Sequence, residues 1–293
     1  MSASPVASAS ASAAVEPSPQ ASSPALVVGG DRPVTVQVPP SYDKAQPAPL
    51  LIVLHGFTGS GAGMEEYFRV QREAERRGFV TAYPDGTRDR DGNRFWNATD
   101  ACCNFDRSAI DDAAYLDGVI SSIEAVVAID PHRVYVAGHS NGGFMSYRLA
   151  CTHADRLAAI VSLAGATLAV STDCQPSKPV AVLQIHGTAD DTIAFAGGSI
   201  NGAHYPGAQE TVATWAGYDG CAAGPTHVDE RVDVDADLQD AGQPAEATVT
   251  RWTGCRPGGA VELWTIPGGS HVPAISGAFG AAVLDFLEAH PKP

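Results

Sequence analysis

Short apolar runs alternate with amphipathic segments along the chain from about residue 32 to the C-terminus. The apolar runs have the length and composition of buried parallel strands, and they cover residues 50–56, 79–85, 133–138, 157–165, 180–187 and 261–269. Apolar positions at helical spacing predict helices over residues 64–78, 111–129, 143–154 and 274–290. Strands that alternate with helices predict an α/β fold with a mostly parallel, doubly wound sheet.

Local signals at the ends of these segments refine the prediction. Residues 32–40 alternate apolar and polar positions and end in two prolines, which is typical of an edge strand. Residues 64–78 are predicted to form one helix that ends at a glycine. Asp111 is a suitable N-cap for the next helix. Residues 247–255 and 261–269 are expected to pair as a hairpin through the Pro-Gly-Gly turn between them.

The first 25 residues differ from the rest of the chain. They are almost all Ser, Ala, Pro and Val, a composition that buries too little apolar surface to fold. They also lack the charged start and leucine-rich core of a signal peptide. We therefore expect a disordered tail over residues 1–27 and a single folded domain over residues 28–293.

Composition and charge narrow the class of protein. The chain has 293 residues, of which 44% are hydrophobic, enough for one large α/β domain. It has no run of about 18 apolar residues, so membrane insertion is not expected. The net charge of −15 repels phosphate backbones, so nucleic acid is not an expected partner. No feature of the sequence indicates an oligomeric state.

The cysteine count indicates the redox compartment. The chain has six cysteines, at positions 102, 103, 151, 174, 221 and 255. An even number predicts disulfides and an extracellular location, whereas six buried reduced thiols and a cytoplasmic protein are the alternative. Cys221 and Cys255 flank one acidic segment and are the best candidates for a pair. Cys102 and Cys103 are adjacent and are expected to bond elsewhere rather than to each other.

A candidate nucleophile lies where a predicted strand passes into a predicted helix. Residues 138–142, Gly-His-Ser-Asn-Gly, fit the pattern G-x-S-x-G, in which a sharp turn exposes the serine hydroxyl. A serine needs a neutral imidazole to take its proton and a carboxylate to orient that imidazole. The alternative interpretation is that Ser140 is only a small residue in a tight turn.

Three further polar loops follow predicted strands, at residues 55–58, 186–190 and 268–271. The carboxyl ends of parallel strands meet at one edge of a sheet, so these loops and Ser140 are expected to lie together. Asp190 and His271 follow Ser140 in the chain order nucleophile, acid, base that α/β-hydrolases use. Asp191 competes with Asp190 for the acidic role.

The same loops supply candidates for an oxyanion hole. The amide of Asn141 follows the nucleophile at a helix start, where backbone N–H groups are unpaired. The second donor is expected from the loop after the first apolar strand, with Phe57 the first choice and Thr58 the alternative.

Other segments concern the substrate and metals. Residues 165–179 are too short for a helical cap, so a single domain without a large lid and with an open cleft for a bulky or polymeric ester is expected. Trp96 lies in a polar stretch, where an exposed ring could bind substrate or could instead fold onto the protein body. Residues 233–244 begin like a calcium loop but lack its glycine and glutamate, so no metal is expected.

The chain resembles the secreted polyhydroxybutyrate depolymerase and feruloyl esterase family of α/β-hydrolases. The resemblance rests on these stretches: LLIVLHG, WNATDACCN, IDDAAYL, GHSNGGFMSYRLAC, HGTADDTIAFAGG, TWAGYDGC and GGSHVP. It implies the α/β-hydrolase fold, secretion and a serine esterase without a cofactor. It also places the acid on Asp190 rather than Asp191, and the base on His271. The chain departs from the family pattern at residues 194–195 and 272–273.

The substrate is therefore expected to be an ester, and feruloyl, acetyl-xylan and polyhydroxyalkanoate esters all remain candidates. Two alternatives remain for the protein as a whole, a serine peptidase on the same fold and a non-catalytic polymer-binding protein.

Overall fold

The structure, a computed structural model, describes residue 1 and residues 25–238 and 245–293. Most of the predicted tail over residues 1–27, and the second half of the calcium-like stretch, therefore lie outside the described residues. The described end of the tail differs from the prediction, because Leu26–Val28 form a strand.

Fourteen strands and six α-helices occur in the described part of the chain. The strands are β1 (Leu26–Val28), β2 (Val34–Gln37), β3 (Ala48–Leu54), β4 (Val80–Ala82), β5 (Thr87–Arg88), β6 (Arg94–Phe95), β7 (Ile129–His139), β8 (Ala159–Leu163), β9 (Ala181–Gly187), β10 (Gly197–Ile200), β11 (Ala203–Pro206), β12 (Ala223–Val232), β13 (Ala247–Thr253) and β14 (Val261–Ile266). The helices are α1 (Gly61–Phe68), α2 (Gln71–Arg76), α3 (Asp112–Glu124), α4 (Asn141–Thr152), α5 (Ala208–Tyr218) and α6 (Phe279–Ala289).

Ten of the described strands form one sheet in the order β1-β2-β4-β3-β7-β8-β9-β14-β13-β12. The six central strands, from β4 to β14, pair in parallel, and antiparallel strands complete both edges. The central strands are the continuous apolar runs of the sequence, as strands buried on both faces require. The predicted fold class and the hairpin of β13 with β14 are confirmed.

Helices cover both faces of the sheet. The core on one face includes Leu116 of α3, Phe144 of α4 and Trp215 of α5. The core on the other face includes Phe68 of α1 and Leu284 of α6. This doubly wound packing leaves the carboxyl ends of the parallel strands free to carry loops.

Two predicted elements differ from the structure. Residues 64–78 form two helices rather than one, because Arg69 adopts a left-handed conformation with φ 53°. A Cβ at Gly280 would lie 3.0 Å from the carbonyl oxygen of Arg69, so the close approach of α6 accompanies the break. Residues 32–40 contain β2, which is not an edge strand because β1 pairs outside it.

The cysteines form three disulfides, Cys102–Cys103, Cys151–Cys174 and Cys221–Cys255. The predicted pair Cys221–Cys255 is confirmed. The prediction that Cys102 and Cys103 would bond elsewhere is wrong, because the other four cysteines pair among themselves.

The connections from β8 to β9 and from β9 to α5 contain no α-helix, and all of their residues are described. Between β8 and β9 the chain makes a single 3-10 turn, Ser171–Asp173, and between β9 and α5 it makes the hairpin β10-β11. None of the helices in the described ranges is long and apolar enough to cross a membrane.

Candidate active site

Ser140 lies at the sharp turn between β7 and α4. Its backbone has φ 53° and ψ −120°, a conformation that residues other than glycine rarely adopt. A Cβ at Gly138 would lie 2.3 Å from the backbone of Gly142, and a Cβ at Gly142 would lie 2.2 Å from the carbonyl oxygen of Leu54. The two glycines therefore allow the turn to close, and Ser140 lines the cleft above it.

The structure brings Ser140, Asp190 and His271 together from three separate loops. His271 Nε2 lies 3.0 Å from Ser140 Oγ, and His271 Nδ1 lies 2.8 Å from Asp190 Oδ2. An ionised carboxylate only accepts hydrogen bonds, so Nδ1 carries the imidazole proton and Nε2 accepts from the serine hydroxyl. This arrangement can take the proton of Ser140 and stabilise the imidazolium that results.

Hydrogen-bond donors surround Asp190. Its Oδ1 accepts from the amides of Thr192 at 2.9 Å and Ile193 at 2.8 Å, and His186 Nε2 lies 3.2 Å from Oδ2. Burial raises the pKa of Asp190, but hydrogen bonds from His186 and His271 outweigh burial and hold this pKa well below its usual value. Asp190 therefore stays ionised at neutral pH.

A buried polar chain, which the sequence analysis missed, supports Asp190. Tyr147 donates its hydroxyl to Gln184 Oε1 at 2.8 Å, and Gln184 Nε2 lies 3.0 Å from His186 Nδ1. Because the amide donates, His186 carries its proton on Nε2, which is shared between the carbonyl of Ile193 at 2.7 Å and Asp190 Oδ2 at 3.2 Å. The available signal was the polar pair Gln184 and His186 within an apolar strand.

Whereas Asp190 contacts the imidazole of His271, His139 contacts the backbone of the same residue. Its Nε2 donates to the carbonyl oxygen of His271 at 2.8 Å, and the ring centroids lie 5.0 Å apart. Burial and the neighbouring His271 lower the pKa of His139 to about 4. His139 is therefore neutral at neutral pH and adds no repelling charge beside an imidazolium at His271.

Two backbone amides are placed as candidate oxyanion donors. The amide of Asn141 is the first in α4, where N–H groups have no intrahelical acceptor. Phe57 follows β3 and lines the same cleft as Ser140. The amide of Thr58, the alternative donor, is already bonded to the carbonyl of Arg94 at 2.8 Å. The geometry therefore favours Phe57 with Asn141.

An open cleft of about 450 Å³ lies over Ser140, between the loop after β3, helix α1 and the loop after β14. Phe57 lines it and packs edge-on against Phe105, with ring centroids 5.3 Å apart. Val272 on the cleft and Phe105 beside it are 57% and 41% exposed, so exposed apolar side chains lie at the cleft together with polar ones such as Arg94. No group of His, Cys, Asp and Glu side chains in the described part of the chain could hold a metal ion.

Trp96 is buried rather than exposed, with 0% of its surface accessible, so the expectation of a ring that binds substrate is wrong. Its indole N–H donates to the carbonyl oxygen of His55 at 3.0 Å. The polar neighbours in the sequence misled the interpretation, because they belong to a loop that packs Trp96 against the body of the protein.

Comparisons with known proteins concern the family and the fold of the chain. The family described as esterase PHB depolymerase matches residues 34–228. Feruloyl esterase B of Piromyces equi is 29% identical over 248 residues, which are 82% of this chain and 42% of that protein. Feruloyl esterase D of Neurospora crassa is 25% identical over 262 residues, which are 84% of this chain and 76% of that protein. The chain thus spans less than half the length of feruloyl esterase B.

A solved structure supports the fold. Acetyl xylan esterase from Aspergillus awamori aligns with a TM-score of 0.64 and 17% identity, over 91% of this chain and 99% of that one. At this identity the likeness concerns the fold alone, which is that of the α/β-hydrolases. Because the family match runs from β2 into β12 and covers well over half of the residues, the chain belongs to the esterase PHB depolymerase family.

Proposed function

We propose that the chain is a serine carboxyl-ester hydrolase that works through an acyl-enzyme. Ser140 is the nucleophile, His271 the general base and acid, and Asp190 the residue that orients His271. One observation carries the proposal, the continuous contact from Ser140 Oγ to His271 Nε2 at 3.0 Å and from His271 Nδ1 to Asp190 Oδ2 at 2.8 Å. Membership in an esterase family supports the choice of an ester.

The reaction proceeds in two similar steps. Ser140 Oγ attacks the ester carbonyl while His271 takes its proton, and the amides of Phe57 and Asn141 donate to the oxyanion that forms. Collapse of this intermediate expels the alcohol, which receives its proton from His271. A water molecule then attacks the acyl-enzyme with His271 again as base, and His271 passes the proton to Ser140 Oγ as the carboxylic acid is released.

The proposed substrate is a bulky or polymeric ester, either a feruloyl or acetyl ester of a plant polysaccharide or a polyhydroxyalkanoate. The open cleft, with the apolar side chains of Phe57 and Val272 on it, supports a large acyl group. The names of the relatives, two feruloyl esterases, support the first class, and the family description supports the second.

We also propose that the protein acts outside the cell. Its cysteines are paired in three disulfides, and disulfides persist in oxidising compartments.

The test compares kcat/KM for methyl ferulate and for a 3-hydroxybutyrate oligomer, with Ser140→Ala as the blank. Loss of the nucleophile is expected to lower kcat by about 10⁵-fold or more for either substrate, while circular dichroism stays unchanged. A preference for ferulate indicates cell-wall esters, and a preference for the oligomer indicates polyesters. Wild-type rates no higher than the blank would contradict the esterase proposal and favour a peptidase or a binding protein.

A further inference from the structure

The two proposed oxyanion donors belong to segments that are far apart in the chain. Phe57 follows β3, whereas Asn141 opens α4. Both amides must reach the same oxygen, so their separation has to be fixed before the reaction begins. Residues 94–97, named here the bracing segment, contact both sides.

The bracing segment bonds to the loop that carries Phe57. The indole N–H of Trp96 donates to the carbonyl oxygen of His55 at 3.0 Å, and the two rings lie 5.1 Å apart between centroids. The carbonyl of Arg94 accepts from the amide of Thr58 at 2.8 Å. Phe57 therefore lies between two residues that the bracing segment holds.

The bracing segment also bonds to the start of α4. The backbone N–H of Trp96 donates to Asn141 Oδ1 at 2.7 Å, and Asn141 Nδ2 donates to the carbonyl of Trp96 at 3.0 Å. These two buried bonds fix the side-chain amide of Asn141 in one orientation. The backbone amide of the same residue is the second proposed oxyanion donor.

The bracing segment is itself anchored. The amide of Asn97 donates to Asp112 Oδ2 at 2.7 Å, and Asp112 Oδ1 accepts from Arg32 Nη1 at 2.7 Å. The Asp112 side chain is fully buried, so loss of either hydrogen bond would leave a buried charge less well paired, which is costly. Asp112 therefore holds the bracing segment in place.

We infer that Trp96 is a positioning residue that sets the separation of the Phe57 and Asn141 amides. It touches both segments at once, through its indole and through its backbone. It contacts no substrate, because it is fully buried. This inference rests on the proposed function, since an oxyanion hole has a role only in acyl transfer.

The test substitutes Trp96→Phe and compares it with Trp215→Phe. Trp215 is a matched control, because it is equally buried and its indole N–H also makes one buried hydrogen bond, to Thr167 Oγ1 at 3.0 Å. Measurements are kcat, KM and pH profile with p-nitrophenyl butyrate, the rate of inactivation by a fluorophosphonate, and Tm.

Trp96→Phe is expected to lower kcat about 10²-fold and to slow fluorophosphonate inactivation in parallel, with KM within about twofold and an unchanged pH profile. Trp215→Phe is expected to keep kcat within about twofold at a similar loss of Tm. Equal kcat values for the two variants overturn the inference. A higher KM at unchanged kcat also overturns it, because that result indicates a substrate contact.

If Trp96→Phe does not fold, benzothienylalanine at position 96 replaces the indole N–H by sulfur and keeps the ring shape, with the same replacement at position 215 as control. A fall in kcat only at position 96 supports the inference, and equal kcat values overturn it. A wild-type protein that hydrolyses no ester overturns the esterase proposal instead, so the two failures are distinguishable.

Discussion

Two adjacent carboxylates have different surroundings at the residue scale. Asp190 is buried and accepts hydrogen bonds from two backbone amides, and its second oxygen contacts His271. Asp191 is exposed and accepts from the hydroxyl of Thr192. Only the buried carboxylate can stabilise an imidazolium without competition from water.

Asp190→Asn is expected to lower kcat about 10⁴-fold, because an amide can stabilise the wrong tautomer of His271. Asp191→Asn, the matched control, is expected to keep kcat within about twofold. The measurement is kcat for both variants between about pH 6 and 9. Equal activity of the two variants would show that Asp190 does not orient the base.

At the scale of elements, the disulfide Cys221–Cys255 reinforces the pairing of the outermost strand of the sheet with its neighbour, β12 with β13. Cys221 follows α5 and Cys255 follows β13, and β12 lies between them at the outer edge of the sheet. An edge strand pairs on one side only, so this connection limits its separation from the sheet.

The double variant Cys221→Ser and Cys255→Ser opens a link across a sequence separation of 34 residues, and we expect it to lose about 3 to 4 kcal/mol of unfolding free energy. Urea denaturation measures this loss. The control is kcat, which should change little because both positions lie outside the cleft that contains Ser140. A denaturation midpoint equal to that of the wild type would contradict the expected role.

At the scale of the whole molecule, Asp219 links stability to pH. Its Oδ1 accepts from the amide of Val180 at 3.1 Å, and its backbone carbonyl accepts from the amide of Arg256 at 2.9 Å. Burial raises the pKa of Asp219 to about 7.

Because the folded-state pKa of Asp219 lies above the unfolded value of 3.8, its protonated form favours the folded state. This contribution to stability is fully present below about pH 4 and is lost as pH rises through about 7. The side chain of the Asp219→Asn variant cannot ionise. We therefore expect the Tm of the variant to rise relative to that of the wild type as the pH increases from about 4 to about 8. Parallel Tm curves over this range would contradict the raised pKa.

Much of the fold follows from patterns that are local in the sequence. Continuous apolar runs predicted the central strands, and helical spacing predicted α3, α4 and α6. The break at Arg69 and the pairing of β1 were not predictable in the same way. Arg69 lies against α6, more than 200 residues later, and β1 is only three residues long.

The residues of the candidate site also fall into those that local sequence patterns could predict and those that they could not. Ser140, Asp190 and His271 could be selected from the sequence, because each follows an apolar strand and parallel strands end at one edge. Their catalytic roles remain a proposal. The support of Asp190 by His186 and Gln184 could not be selected, since polar residues within a strand do not reveal their partners.

The sequence by itself thus determined the parallel sheet, the loops at its carboxyl edge and the tight glycine turn at Ser140, because these depend on neighbours along the chain. Only the tertiary structure decided that Trp96 is buried between His55 and Asn141, which lie 41 and 45 positions away from it. The physical reason is that burial and hydrogen-bond partners depend on which distant segments pack together, and a local pattern of polar residues does not specify them.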